Sequence, residues 1–169
     1  MAVTIEDLKA RSREGFVEAI GWVFESSSWV AERAWRRRPF NGLDALHEAM
    51  VAEVASATRE EQLALLRAHP DLGGVRLQAD QMSDASTREQ IRAGLDNLTR
   101  PEIDRLAALN TTYRDKFGFP FLFAVRGATT DVILNAIEKR LLATREAELD
   151  EALRQVYRIA RFRLEDVLS

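Results

Sequence analysis

Residues 149–167 read LDEALRQVYRIARFRLEDV, a stretch whose apolar residues recur every three or four positions. They fall on one stripe of a helix, formed by Leu149, Leu153, Val156, Ala160, Leu164 and Val167. The charged residues of the stretch fall on other faces, at Arg154, Arg158, Arg161 and Glu165. This pattern predicts a long amphipathic helix that buries one face in a core.

The same period recurs upstream, and each periodic segment follows a residue that can cap a helix. These residues are Thr4, Ser12, Ser28, Asn41, Thr58, Ser86, Thr99, Thr130 and Thr144. Serine, threonine and asparagine are preferred caps because a side-chain oxygen accepts from an unpaired backbone N–H of the first turn. The sequence therefore predicts an all-α chain, folded as a single compact domain over residues 1–169 with about eight to nine helices.

Two segments break the helical period. Residues 69–86 contain a proline, paired glycines and polar turn residues, which is typical of a long functional loop. Residues 116–129, KFGFPFLFAVRGAT, carry four phenylalanines around a glycine and a proline. They predict an extended apolar segment whose backbone groups need partners outside a helix.

Composition excludes several classes of function. The formal net charge is -3, and acids and bases are interspersed, which argues against a nucleic-acid partner. The sequence has no cysteine, and its two histidines lie in separate segments, so we expect no metal and no organic cofactor. The first residues show no secretory pattern, and no apolar run reaches the ~20 residues of a membrane span. We therefore expect a cytoplasmic protein with no membrane partner.

His69 is the first candidate for chemistry, because histidine exchanges protons near neutral pH. Pro70 disfavours helical geometry at the residue before it, so we expect a helix to end here and the imidazole to face the loop that follows. A histidine at a helix end can equally serve as a cap that interacts with the helix dipole. Both interpretations stay open on the residues alone. The other histidine, His47, lies in an apolar stripe and is interpreted as a core or interface residue.

Ser86 and Glu89 have the spacing of a capping box, in which each side chain binds the backbone N–H of the other residue. The same helix start, together with the Gln90 amide, could also offer donors and a carboxylate to a bound ligand. Residues 58–61 and 99–102 share this spacing and are interpreted as caps alone. The motif by itself does not decide between a cap and a site.

Several of these elements together resemble one family. HPDLGG at residues 69–74, SxxEQ at residues 86–90, NTTYRDKFGFPFLFAVRG at residues 110–127 and the C-terminal helix follow the order and spacing of the 2-oxo-4-hydroxy-4-carboxy-5-ureidoimidazoline (OHCU) decarboxylases of urate breakdown. The resemblance covers nearly the whole chain. It implies an all-α fold, commonly a homodimer, that converts the small molecule OHCU to (S)-allantoin and carbon dioxide without metal or organic cofactor.

The resemblance also implies roles for individual residues. The family's catalytic histidine, a proton donor, falls on His69. We expect Glu89 to orient His69 or, alternatively, to be the immediate donor with His69 as its partner. The substrate-binding positions fall on Pro70, Ser86, Glu89, Gln90, Phe121, Leu122, Phe123, Ala124 and Val125, with Arg126 next as a candidate anchor for an anion. Gly74 and the RGAT of residues 126–129 depart from the usual family pattern, the latter at the rim of the implied site.

Two other functions stay open at this point. One is a decarboxylase or lyase for a related small carboxylated heterocycle. The other is a non-catalytic helical interaction module, in which the phenylalanine-rich segment is an exposed patch for a partner. The module predicts an exposed segment, whereas an enzyme predicts a segment that is buried around a pocket.

Overall fold

The computed structural model of the chain describes residues 3–73 and 83–168. These residues form nine α-helices and two short 3₁₀ helices, and their only β-type pairing is an isolated bridge between Val3 and Leu168. The all-α prediction is thus confirmed. None of the described helices is long and apolar enough to cross a membrane. Gly74, the first departure from the family pattern, lies outside the described residues.

The helices fall before and after residues 74–82. The first group consists of α1 (Ile5–Ala10), α2 (Arg13–Ile20), α3 (Trp29–Ala34), α4 (Leu43–Ala55) and α5 (Arg59–Arg67), with 3₁₀ helices at Gly21–Val23 and Trp35–Arg37. The second group consists of α6 (Asp84–Arg92), α7 (Arg100–Phe117), α8 (Thr130–Arg140) and α9 (Arg145–Val167).

Most helices begin at the predicted caps. Reciprocal capping boxes join Thr4 to Asp7, Thr58 to Glu61 and Thr99 to Glu102. The hydroxyls of Ser12 and Thr144 each accept from the backbone N–H three residues later. The Glu61 carboxylate accepts hydrogen bonds from Arg33 and from the Thr58 backbone N–H, and these bonds lower the pKa of Glu61 to about 2. The boxes at Thr58 and Thr99 confirm that these two motifs are caps.

Three other predicted caps are wrong. In two helices the capping position lies one residue away from the predicted cap, and the third predicted cap makes no capping hydrogen bond. Gly42 rather than Asn41 precedes α4, without a side-chain cap. Thr129 rather than Thr130 caps α8, because its hydroxyl accepts from the Val132 N–H. Ser28 precedes α3 but makes no capping bond through its side chain. Adjacent residues of similar chemistry compete for a cap, and the sequence does not rank them.

The chain divides into two compact units. One comprises the residues up to Ala68 and from Val156 onward, and the other comprises His69–Gln155. In the first unit the buried core includes Phe16, Ile20, Val30, Leu46, Met50, Val54, Ala160 and Leu164. His47 donates from Nε2 to the Tyr157 carbonyl at 2.8 Å, since a carbonyl can only accept. That bond supports the structural interpretation of His47.

The second unit has an aromatic core, and the candidate site is built around it. Residues 118–129, which we call the phenylalanine segment, connect α7 to α8 without forming a helix, as predicted, but the predicted start is wrong because Lys116 and Phe117 are the last residues of α7. The rings of Tyr113, Phe117, Phe119 and Phe121 contact one another at centroid distances of 4.7 to 6.1 Å. Gly118, with a φ of 82°, ends α7 in the left-handed conformation that glycine adopts without strain. The aromatic cluster thus fixes where the segment leaves α7.

Candidate active site

The segment that carries His69 has a constrained backbone. The helix α5 ends at Arg67, two residues before His69, as the proline predicts. His69 itself is only 6% exposed. We call residues 69–73 the histidine segment. It ends at Gly73, where φ is 76° and a Cβ would lie 2.6 Å from a methyl carbon of Leu106, so only glycine fits.

Two buried amides hold this segment to neighbouring helices. Gln90 on α6, which is 3% exposed, accepts from the Gly73 N–H at 2.8 Å and donates to the Asp71 carbonyl at 3.3 Å. Asn110 on α7 donates to the Leu72 carbonyl at 2.9 Å. Three consecutive residues therefore have a main-chain group bound by a side chain. This arrangement fixes the segment against α6 and α7.

Asn110 is a residue that the sequence-based predictions miss. Its signal is a polar residue within an apolar stripe: Asn110 lies four positions after Leu106 and three before Tyr113, and all three are buried. An amide in such a position needs a buried partner, which here is a main-chain carbonyl.

The capping box predicted for Ser86 and Glu89 is wrong. The helix α6 begins at Asp84, and Ser83 caps it by accepting from the Ser86 N–H at 3.1 Å. Ser83 and Ser86 are three residues apart, so both could cap, and the earlier start adds Asp84 to the first turn, where the helix dipole favours an acid. Ser86 is therefore buried inside the first turn, and Glu89 does not serve as the cap of this helix.

Glu89 lines a small pocket of about 80 Å³. Arg92 and Ala93 lie beside it, and the facing wall is formed by Val125, Arg126 and Gly127. The structure thus brings together three of the predicted site residues, Glu89, Val125 and Arg126. Arg92 is a second cation there, and its signal in the sequence is its place three positions after Glu89, on the same helix face. Two arginines around one carboxylate give the pocket a positive balance that suits an anion.

Residues 121–125 of the phenylalanine segment, which we call the wall, are mostly buried, and Val125 among them lines the pocket. Phe121, Leu122, Ala124 and Val125 are buried, Phe123 is half-buried, and Arg126 is exposed. An interaction module would expose these side chains to a partner. Their burial therefore contradicts that interpretation and agrees with the enzyme interpretation.

Side chains from α8 and α9 bind the backbone of this wall. Arg140 donates from Nη1 to the Leu122 carbonyl, and the Ala124 N–H donates to Gln155 Oε1 at 2.9 Å. Arg140 also pairs with Glu148, which accepts a hydrogen bond from the Tyr113 hydroxyl. Burial, and then the bond to Glu148, raise the pKa of the Tyr113 hydroxyl far above its usual value, so the hydroxyl stays protonated as a donor.

Six of the eleven predicted site residues thus lie in two groups within the second unit, and the other five are Ser86, buried on α6, and residues 121–124 of the phenylalanine segment. His69 and Pro70 lie on the histidine segment, which Gln90 binds, while Glu89 and residues 125–126 line the pocket. That Glu89 orients His69 stays a prediction, as does each residue's role toward a substrate. Among the described residues, no group of three or more histidines and carboxylates is placed to hold a metal ion.

Comparisons with known proteins point in one direction. A family model described as OHCU decarboxylase matches residues 9–165. A 2-oxo-4-hydroxy-4-carboxy-5-ureidoimidazoline decarboxylase of Halalkalicoccus jeotgali is 45% identical over 165 residues, which is 98% of this chain and 92% of the relative. A uric acid degradation bifunctional protein of Bacillus subtilis is 44% identical over 98% of this chain and 33% of its own length. The crystal structure of an (S)-allantoin synthase matches with a TM-score of 0.80 at 33% identity, over 98% of this chain and 54% of that chain.

Proposed function

Because the chain belongs to the OHCU decarboxylase family, we propose that it decarboxylates OHCU to (S)-allantoin in the degradation of urate. The observation that supports this most directly is the pair of hydrogen bonds made by Gln90. They tie the segment that carries His69 to the helix that carries Glu89. An acid–base pair from two separate elements needs such a tie, because proton transfer demands a fixed geometry.

The substrate supplies its own electron sink. The bond between ring carbon 4 and the carboxylate breaks and carbon dioxide leaves, while the electron pair forms a double bond to ring carbon 5 and the pair of the C=N bond moves to the ring nitrogen, which takes up a proton. The 4-hydroxyl proton is lost as a carbonyl forms, and one proton is added to the ring carbon that bears the ureido group. The protein therefore has to hold the carboxylate out of the ring plane, exclude water and deliver a proton to one face.

His69 is the proposed proton donor, and Glu89 orients it. The alternative within the same proposal is that Glu89 is the immediate donor and His69 its partner. Delivery to one face of the ring sets the S configuration of the product, since unassisted protonation would give both enantiomers. In its cationic form His69 also stabilises the charge that develops as carbon dioxide leaves.

The remaining site residues bind and position the substrate. Ser86, Gln90 and the backbone of residues 121–125 recognise its urea-like edges, and Pro70 lies beside the acid. After its two bonds to the histidine segment, the Gln90 amide retains one N–H and one lone pair for a ligand. Arg126 anchors the carboxylate. A tight grip on the departing group would stabilise the ground state as much as the transition state, so Arg126 positions rather than drives the reaction.

Four further properties stay predictions. The resemblance favours a homodimer that needs no cofactor, and the sequence favours the cytoplasm and a single domain over residues 1–169. Light scattering of the purified protein tests the dimer, and activity after exhaustive chelation and dialysis tests the cofactor. A single cooperative thermal transition is the outcome expected of one domain.

The test of the function couples three activities. Urate oxidase and hydroxyisourate hydrolase generate OHCU from urate, and circular dichroism follows the appearance of (S)-allantoin when this protein is added. Spontaneous decay gives racemic allantoin, so only catalysed turnover leaves a lasting signal. If OHCU decays no faster and the product stays racemic, the proposal fails. Assay of related carboxylated heterocycles then tests the alternative substrate class.

A further inference from the structure

The wall of residues 121–125 is bound by two side chains that lie outside the pocket. Arg140 binds the carbonyl of Leu122, and Gln155 accepts from the N–H of Ala124. These bonds flank Phe123 on both sides. Within the segment the Val125 carbonyl accepts from the Ala128 N–H, and the positions of residues 122–124 depend on the side-chain contacts.

Arg140 is itself held from several directions. Its guanidinium pairs with Glu148 and lies over the Phe121 ring, 4.5 Å from the centroid. The Tyr113 hydroxyl donates to the same carboxylate oxygen of Glu148. The planar guanidinium can bind a carboxylate and a carbonyl at once, and a lysine could not reproduce that geometry.

The Gln155 amide also has one defined orientation. Its Nε2 donates to Glu151 at 2.9 Å, so its Oε1 faces the Ala124 N–H. Burial raises the pKa of Glu151, but hydrogen bonds from Gln155 and Arg154 outweigh this and hold it below its usual value. Glu151 therefore stays a carboxylate that can only accept, which prevents the amide from flipping.

The buried ion pair of Arg140 and Glu148 is not explained by a contribution to stability alone. The side chains of Arg140 and Glu148 are 11% and 2% exposed, and desolvation offsets most of the attraction between such charges. The pair Arg105–Glu138 also involves α8, which it joins to α7, yet its side chains are 47% and 46% exposed and it binds no main-chain group of the wall. Besides this difference in burial, Arg140 differs from Arg105 by its hydrogen bond to the Leu122 carbonyl.

We propose that Arg140 and Gln155 are positioning residues for the reaction, which fix the backbone of residues 121–125 where the substrate binds. This inference rests on the proposed function, because it takes that backbone as a substrate contact. A displacement of about 1 Å in a positioning element can lower a rate about 100-fold. Loss of either side chain should therefore lower kcat/KM of the folded protein itself. A purely structural role would lower only the fraction of protein that is folded.

The test uses Arg140→Met, which keeps an apolar stem over Phe121 and removes the guanidinium. We expect kcat/KM to fall by about 10- to 100-fold. We also expect a lower enantiomeric excess of (S)-allantoin when the enzyme concentration is raised until the catalysed flux equals that of the unsubstituted protein. The kcat/KM of Arg140→Lys should lie between the values of Arg140→Met and the unsubstituted protein, because the ammonium group can donate but lacks the planar geometry of the guanidinium. Arg105→Met is the matched control, with kcat, KM and enantiomeric excess unchanged.

A second variant keeps the proposal testable if Arg140→Met does not fold. Gln155→Met leaves the ion pair intact and removes the acceptor of the Ala124 N–H together with the donor to Glu151, and we expect the same loss of kcat/KM and of enantiomeric excess. Normal KM, normal kcat per folded molecule and normal enantiomeric excess in the folded variants would overturn the proposal. An unsubstituted protein that forms no (S)-allantoin is a different result, and it contradicts the proposed function itself.

Discussion

The histidine segment and the phenylalanine segment are both non-helical, yet they are held by different chemistry. Neutral amides, Gln90 and Asn110, bind the backbone of the first. A guanidinium in a buried ion pair binds the second, with Gln155 beside it. The comparison teaches that amides bind the main chain beside the proposed proton donor, whereas a charged contact of that segment, from Arg114 to Asp71, is made to a side chain.

The largest effect is expected at the acid itself. His69→Asn should remain folded and lose about 10²- to 10⁴-fold in the rate of OHCU decarboxylation, because a positioned general acid contributes about that much. Circular dichroism of the allantoin product gives the rate, and thermal unfolding gives the stability. If folded His69→Asn decarboxylates OHCU as fast as the unsubstituted protein, His69 has no catalytic role and the histidine segment only ends a helix.

Glu89→Gln is expected to have the next largest effect. Since Ser83 caps α6, the substitution should leave the free energy of unfolding nearly unchanged while the rate falls about 10²-fold. Rate and unfolding free energy are measured on the same preparation. Loss of about 1 kcal/mol with near-normal turnover is the signature of a capping residue, and it would contradict both the catalytic role and the observed start of the helix.

Gly73→Ala probes the conformation of the histidine segment. It should lower the free energy of unfolding by about 1–2 kcal/mol through the left-handed φ, and by about 1–3 kcal/mol more because the new Cβ overlaps Leu106. Gly94→Ala is the matched control, since Gly94 has a φ of +80° and a Cβ added there would meet only open space. Urea denaturation of both variants separates strain from overlap. Equal losses of unfolding free energy in the two variants would mean that the histidine segment shifts to accommodate the added methyl group.

The smallest effect is expected outside both segments, at Glu61. Its pKa is lowered from the usual 4.5 to about 2, so the ionised form stabilises the fold above pH 4.5 and that contribution is lost as the pH falls through 2. Glu61→Gln should therefore be less stable than the unsubstituted protein at neutral pH, and the difference should shrink between pH 4.5 and 2. Thermal unfolding across this range checks it. Turnover should not change, and a change would show that the site depends on more than the second unit.

The sequence predicts the local features well. Helical periodicity, the boxes at Thr58 and Thr99 and the end of α5 before His69 all follow from residues within a few positions of one another. The predicted start of α6 is wrong because two serines three residues apart compete for one cap. The supports of the two segments join residues 17, 38 and 31 positions apart, at Gly73–Gln90, Leu72–Asn110 and Ala124–Gln155. No local pattern encodes such pairs, so they could not be predicted from spacing.

Hydrogen bonds from side chains to main-chain groups leave room for substrate preference to change, because they do not depend on the side chains of the residues they hold. Gln90, Asn110, Arg140 and Gln155 all bind backbone atoms of the two segments, and every residue type except proline offers the same atoms. Apart from Gly73, where only glycine fits, side chains on the segments can therefore be exchanged while the course of the chain is kept. If residues 121–125 bind the substrate as proposed, Phe123, half-buried between the two bound residues, is where a redesign for larger or smaller heterocycles should begin.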